Sequence, residues 1–223
     1  MSDKETALAL TPVSRETQAR LEVFVDYLLE RQKTLNLIGP STIPQIWTRH
    51  VADSLQLLDL APDARIWVDA GTGGGFPGLV LAIALADRPD HRVLLVESVG
   101  KKADFLREAV RITGAPAEVH QERIEKFGES FGDKADVVTA RAVAPLKVLL
   151  DQTFPLLRGG AIGLFLKGQD VEAELTEAAK YWTIQTNLLP SRTSTTGKIV
   201  KVVQCVRRNP KNQKAHLQPE RRK

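Results

Sequence analysis

Between residues 66 and 78 the chain reads Ile-Trp-Val-Asp-Ala-Gly-Thr-Gly-Gly-Gly-Phe-Pro-Gly: a buried-strand pattern, a glycine loop, then a helix start. Gly71, Gly73 and Gly75 allow a sharp turn and a backbone approach that a Cβ would block, and Pro77 suits a first helical turn. Glu97, twenty-two residues beyond Gly75, ends the next strand pattern, where a carboxylate can accept hydrogen bonds from both hydroxyls of a ribose. Strand, glycine loop, helix and distant acid together specify an α/β sheet that binds a nucleoside-containing cofactor. A tight strand-to-helix turn with an ordinary strand-end acid is the plainer alternative.

The rest of the chain agrees with such a sheet. Strand patterns at 66–69, 93–97, 117–120, 136–139, 162–167 and 199–206 alternate with helical patterns at 77–86, 101–113, 144–157 and 171–181, which implies right-handed βαβ crossovers and a mostly parallel sheet of about seven strands. No clear helix separates 183–189 from 199–206, so these two are expected to pair antiparallel. Before the sheet, Leu21, Phe24, Val25, Leu28 and Leu29 form the stripe of an amphipathic helix over 15–34. A second helix is expected through Trp47, Val51, Leu55 and Leu58, stopping before Ala61-Pro62-Asp63. The expected organisation is a helical cap at 1–62, a Rossmann-like core at 63–206 and a basic tail at 207–223.

The tail holds seven Lys/Arg and one Glu, so the net charge of +4 becomes −2 for residues 1–206. It can attract phosphate without reading sequence, or serve only as a solvated terminus. The single cysteine, Cys205, excludes an internal disulfide framework, and four scattered histidines make a structural metal site improbable. With no signal-peptide pattern and no apolar run near the ~20 residues of a membrane span, a cytoplasmic protein is expected.

Asp69 directly precedes the glycines, and Asp-x-Gly-x-Gly-x-Gly resembles motif I of the class I S-adenosylmethionine-dependent methyltransferases. A dinucleotide site would set its glycines against a pyrophosphate, so an NAD-dependent oxidoreductase is the rival from another class. The chain carries no Asn/Asp-Pro-Pro-aromatic tetrapeptide of the amino-methylating kind, and Cys205 falls within a strand pattern, unsuited to a nucleophile. A guanine N7 needs neither, because it offers an in-plane lone pair and loses no proton on methylation. Positioning and electrostatics then suffice.

Four strings, Trp47-Thr48-Arg49-His50-Val51-Ala52-Asp53-Ser54-Leu55, the 68–78 loop, Thr139-Ala140-Arg141-Ala142-Val143-Ala144 and Leu166-Lys167-Gly168, resemble in order and spacing the bacterial small-subunit rRNA guanine-N7 methyltransferase G family (glucose-inhibited division protein B) over about residues 20–206. The resemblance implies N7 methylation of one guanine in the decoding-region loop of 16S rRNA, with S-adenosylmethionine as cofactor and 16S rRNA or the 30S subunit as partner. It also implies that Gly71 and Phe76 line the cofactor pocket, that Glu97 faces the ribose, that Ile124 and Glu125 flank the adenine, and that Arg141, just past the fourth strand, sits where donor and acceptor meet; Asp69, Gly73 and Gly75 of the loop are further cofactor-binding candidates. The family's usual Pro in the loop is Gly74 here, and its frequent strand-end Asp is the longer Glu97.

His50, Asp53 and Arg141 are the candidates for catalysis. Arg49 and Asp53, at i and i+4, could equally form a helix-surface ion pair, and Arg141 a salt bridge. Arg49, Lys167, Arg192 and Lys198 are candidate RNA contacts. A monomer is expected, and the acceptor is left open to another RNA, a protein or a small molecule, as is an RNA-binding protein without turnover.

Overall fold

Residues Ile66–Ala70 (β1) are apolar except for Asp69 and buried on both faces, as a central parallel strand must be. The computed structural model describes residues 1–131 and 135–208 and sets this strand inside a seven-stranded sheet. Its other strands are β2 (Arg92–Val96), β3 (Ala117–His120), β4 (Val137–Arg141), β5 (Ile162–Lys167), β6 (Trp182–Pro190) and β7 (Lys198–Arg207), in the order β3-β2-β1-β4-β5-β7-β6. β1 to β5 run parallel, whereas β7 is antiparallel to both β5 and β6. The strand order reverses between β1 and β4, and a crevice opens above their carboxyl ends, where open α/β sheets bind ligands.

Helices cover both faces. Those preceding β1 are α1 (Asp3–Leu10), α2 (Arg15–Gln32) and the single turn α3 (Asp53–Leu55); those following it are α4 (Gly78–Ala84), α5 (Gly100–Thr113), α6 (Ile124–Phe131), α7 (Leu146–Arg158) and α8 (Val171–Ala179). The stripe of α2 packs into one apolar cluster with Leu79, Ile83 and Phe105 of α4 and α5, while α6, α7 and α8 line the opposite face. Leu21, Phe24 and Leu28 are fully buried, each contributing about 2 kcal/mol by removal from water. Ser14 caps α2 by accepting from the Thr17 amide.

Three sequence expectations are corrected. α1 precedes the first expected helix and is announced by a capping box, Ser2 with Glu5. In place of the helix expected through Trp47–Leu58 stand a π-helical turn at Trp47–Ala52, α3 and a 3₁₀ turn at Leu58–Leu60, preceded by another 3₁₀ turn at Pro40–Gln45. Pro44 supplies no amide to a regular ladder, and the Ser54 hydroxyl donates to the His50 carbonyl (2.6 Å). Finally, β7 runs through Arg207, one residue beyond the expected end of the core, and residues 209–223 of the tail lie outside the described residues.

Candidate active site

The glycine loop leaves β1 with positive φ at Gly71 (+69°), Gly73 (+57°) and Gly75 (+96°), conformations that a side chain would strain. Asp69 lies beneath it, 1% exposed: one carboxylate oxygen accepts from the Gly78 amide (2.9 Å), at the start of α4, and the other from the Thr139 hydroxyl on β4 (2.8 Å). Two of the expected cofactor contacts are therefore corrected. Asp69 fastens the loop from below and does not line the crevice, and a Cβ on Gly75 would meet Phe24 Cζ at 2.9 Å, so this glycine admits α2 rather than a ligand.

Gly71, Gly73, Phe76 and Glu97 do line a cavity of about 490 Å³ above the strand ends. Glu97, just past β2 and 6% exposed, accepts from the Gly73 amide (2.9 Å) and the Val99 amide (2.7 Å), one on each oxygen. Each oxygen keeps a lone pair, so the acid can pin the loop and still receive a ribose hydroxyl. Leu37 and Ile38 roof this cavity, held by the Gln32 amide group, which accepts from both of their N–H groups (2.9 and 3.0 Å) and donates to the Ile38 carbonyl (2.8 Å). Gly74 lets the roof sit close, since a Cβ there would be 2.9 Å from the Leu37 carbonyl oxygen.

Beyond Gly71 a smaller cavity of about 90 Å³ is lined by Val96, Ile124, Glu125, Val143 and Gln152. Glu125 Oε2 and Gln152 Oε1 are buried there without a hydrogen-bond partner among the described residues. Buried acceptors call for a donor, and an adenine amine would supply one. A diol acceptor in one cavity, orphaned acceptors in the next and glycines between them fit S-adenosylmethionine. Gln152, on α7, was invisible in the sequence, where its one signal is a polar residue among the buried Leu149, Leu150 and Thr153.

A third cavity, also about 490 Å³, holds Arg49, Asp53, Lys167, Ser191, Thr193 and Lys198 and shares the wall Arg141–Ala142–Val143 with the first. Arg141, expected just past a strand ending at Thr139, is the last residue of β4, and Ala142 takes φ +52°, a conformation costly without glycine that the surroundings must enforce. Arg141 Nη1 donates to His50 Nδ1 (2.7 Å), and its Nε lies 3.7 Å from Asp53. His50 Nδ1 is thus an acceptor, and its Nε2–H is left to donate to the Thr42 hydroxyl (2.7 Å), which donates in turn to the Gly39 carbonyl (2.7 Å). Burial, then the charges of Arg141 and Arg49, lowers the His50 pKa to about 3. This histidine is neutral with both nitrogens engaged, so it positions Arg141 and does not carry protons.

Asp53 leaves Arg49 exposed on the rim and turns to Arg141 and to the 190s segment, accepting from Gln56 (2.8 Å), Ser191 (3.1 Å) and Thr193 (2.7 Å). The sequence-level ion pair with Arg49 gives way to these contacts. Two expected RNA contacts also change place. Lys167 donates to the Ala144 carbonyl (2.7 Å) and pairs with Glu174 (2.6 Å), which accepts from the Leu146 amide (2.6 Å), so its ammonium ties the shared wall to α8. Arg192 pairs with Asp59 (2.6 Å) and faces a separate cavity beside α2, whereas Arg49, Lys198 and the paired Lys167 line the third cavity.

Two buried groups give opposite pH dependences. Burial raises the Asp69 pKa to about 6, against the hydrogen bonds it accepts, so the folded state binds a proton that the unfolded chain has lost and stability falls as pH rises from about 4 to 6. His50, lowered to about 3, refuses a proton that the unfolded chain takes, so stability falls as pH drops below about 6.5. The two slopes largely cancel. Asp69→Asn keeps the shape and can still accept from Gly78, and it should uncover the histidine slope, a stability rising by roughly 1–3 kcal/mol between pH 4.5 and 6.5 in urea unfolding. A flat profile in that variant would remove the assignment.

The family model for rRNA small subunit methyltransferase G matches residues 17–201. A protein named ribosomal RNA small subunit methyltransferase G from Bradyrhizobium sp. strain BTAi1 is 59% identical over 208 residues, covering 93% of each chain, and one from Nitrobacter hamburgensis is 58% identical, covering 93% of this chain and 80% of its own. Among solved structures, a Streptomyces achromogenes O-methyltransferase of tomaymycin synthesis with S-adenosylmethionine bound superposes with TM-score 0.59 at 16% identity, covering 91% of this chain and 95% of its own. A Bacillus cereus O-methyltransferase crystallised with S-adenosylhomocysteine does so with TM-score 0.57 at 15% identity, covering 90% and 96%. These distant likenesses carry the fold, which is the α/β class I methyltransferase fold read from the sequence, and the near ones carry the family. The chain belongs to the rRNA small subunit methyltransferase G family.

Proposed function

We propose that the protein transfers a methyl group from S-adenosylmethionine to N7 of a guanine in the decoding-region loop of 16S rRNA, acting in the cytoplasm as a monomer on the rRNA or the 30S subunit. The carrying observation is the pair of cavities that meet at Arg141–Val143, where the His50 imidazole beside them is neutral with both of its nitrogens engaged and so takes no proton. A guanine N7 asks for no base.

S-adenosylmethionine, when bound, supplies an electrophilic methyl group on a sulfonium. Glu125 and Gln152 would receive its adenine amine, Glu97 its ribose hydroxyls, and Gly71 and Gly73 its remaining length. Arg141 orders the wall from the acceptor side and presents its buried guanidinium to the guanine, while Asp53, Ser191 and Thr193 offer polar partners to the base edge. Arg49 and Lys198 on the rim suit RNA phosphates. Rate enhancement here is chiefly alignment of nucleophile, methyl and sulfur. No helix among the described residues is long and apolar enough to cross a membrane.

The test incubates the protein with labelled S-adenosylmethionine and 30S subunits lacking this modification, then cleaves at N7-methylguanosine with borohydride and aniline and maps the break by primer extension. One new stop in the decoding-region loop is expected. Label at another position or on another atom overturns the assignment.

A further inference from the structure

Lys147, Lys180, Arg207 and Arg208 converge with Tyr181 and Trp182 on a cavity of about 490 Å³ that shares no lining residue with the active-site cavities. It forms where the start of α7, the end of α8 and the paired ends of β6 and β7 meet. Asp151 is the one acid in the lining among the described residues, and Lys147 (3.3 Å) and Arg207 (2.8 Å) share it. Lys180 has Glu177 beside it at 2.5 Å.

The cations are interleaved with rings. Tyr181 is 48% exposed, with the Lys147 ammonium 4.7 Å from its ring centroid. Arg207 lies over Trp182 at 5.1 Å and over Phe154 at 5.8 Å. Arg208 is exposed and holds its place through Nε, which donates to the Trp182 carbonyl (3.2 Å). The indole N–H of Trp182 is buried with no partner among the described residues, an unmet donor at a cationic site. Among the described residues the lining is two rings, four cations and Asp151, with no aliphatic side chain. Cationic groups around an open aromatic face are what an unpaired nucleotide requires, the phosphate meeting charge and the base meeting the ring.

We propose that this cavity is a second RNA site, distinct from the methyl-transfer centre, that takes an unpaired nucleotide with its base on Tyr181 and its phosphate against Arg208. It rests on the rRNA reading above for its partner. Its role is to hold a second stretch of the substrate while the guanine occupies the active site, so it contributes to affinity and not to chemistry.

Tyr181→Ala, Tyr181→Phe and Arg208→Glu in the full chain separate the possibilities. Methyl transfer is followed on 30S subunits and on protein-free 16S rRNA, alongside binding of a labelled oligouridylate across a salt series. Tyr181→Ala and Arg208→Glu should raise KM about tenfold on both substrates, with kcat and S-adenosylmethionine affinity unchanged, and Tyr181→Phe should match the wild type. Arg208→Glu should also make the log-log salt slope of oligouridylate binding shallower by about 0.7. Unchanged KM and oligonucleotide affinity in both variants overturn the site, and a KM rise confined to 30S subunits overturns it in favour of a protein contact on the particle. A wild type that transfers no methyl group yet binds oligouridylate through Tyr181 keeps this site and removes the proposed function instead.

Discussion

Arg141→Ala is expected to lower kcat by about a hundred- to a thousandfold while weakening S-adenosylmethionine binding only a few-fold. The guanidinium joins three things: His50 through a 2.7 Å hydrogen bond, Asp53 at 3.7 Å, and the 141–143 wall common to the first and third cavities, which the proposed reaction needs aligned together. Without it a buried imidazole nitrogen loses its donor and a mostly buried carboxylate its counter-charge, and misplacement of the reacting groups by about 1 Å costs roughly a hundredfold. Arg141→Lys should recover little, because one ammonium cannot reproduce a planar fork that reaches two partners. Single-turnover methyl transfer at saturating cofactor reads the effect directly. A kcat within threefold of the wild type would show that the wall keeps its shape without Arg141.

Gly78→Ala should be the most damaging small substitution outside the cavities. Within a helix this change ordinarily helps by up to about 1 kcal/mol. Here the new methyl would lie 2.5 Å from both Asp69 Cβ and Leu95 Cδ2, and 2.6 Å from the Asp69 oxygen that accepts the Gly78 amide. The clash forces α4 off the end of β1 and disturbs the hydrogen bond that fastens the loop. A loss of about 3 kcal/mol or more is expected, a fall of roughly 6–12 °C in Tm for a chain of this size. Gly39→Ala, with nothing within 4 Å of its Cβ, is the control and should stay within about 0.5 kcal/mol. Equal melting temperatures for the two variants would contradict the packing described for Gly78.

The sheet was legible because its signals are local. A short apolar run, glycines, a helix and a strand-end acid are set by covalent geometry and burial, and β1, the loop and Glu97 stand where the pattern put them. The antiparallel finish of β6 and β7 was legible from the lack of a helix between them. Contacts across the chain were not. Asp69 and Gly75 fit the motif but serve the loop from below and behind, which depends on Thr139 and Phe24, far away in sequence. Lys167 looks like a free cation until Glu174 of α8 is folded against it. Gln32, Thr42 and Gln152 carry no motif at all, since an amide or hydroxyl acquires meaning only from what it faces. The 47–58 segment misled because apolar spacing reports which face is buried, not whether each carbonyl keeps its helical partner.

The last described strand lies between β5 and β6, so the sheet is completed out of sequence order. Asp53 meets Ser191 and Thr193 across 138 and 140 positions, and Lys198, the first residue of β7, closes the same cavity. The two cavities beside the glycine loop are lined wholly by residues up to Gln152, whereas the third draws Ser191, Thr193 and Lys198 from the two strands that follow β5 and the turn between them. A chain cut after β5 would keep every described wall of the first two cavities and lose one side of the third.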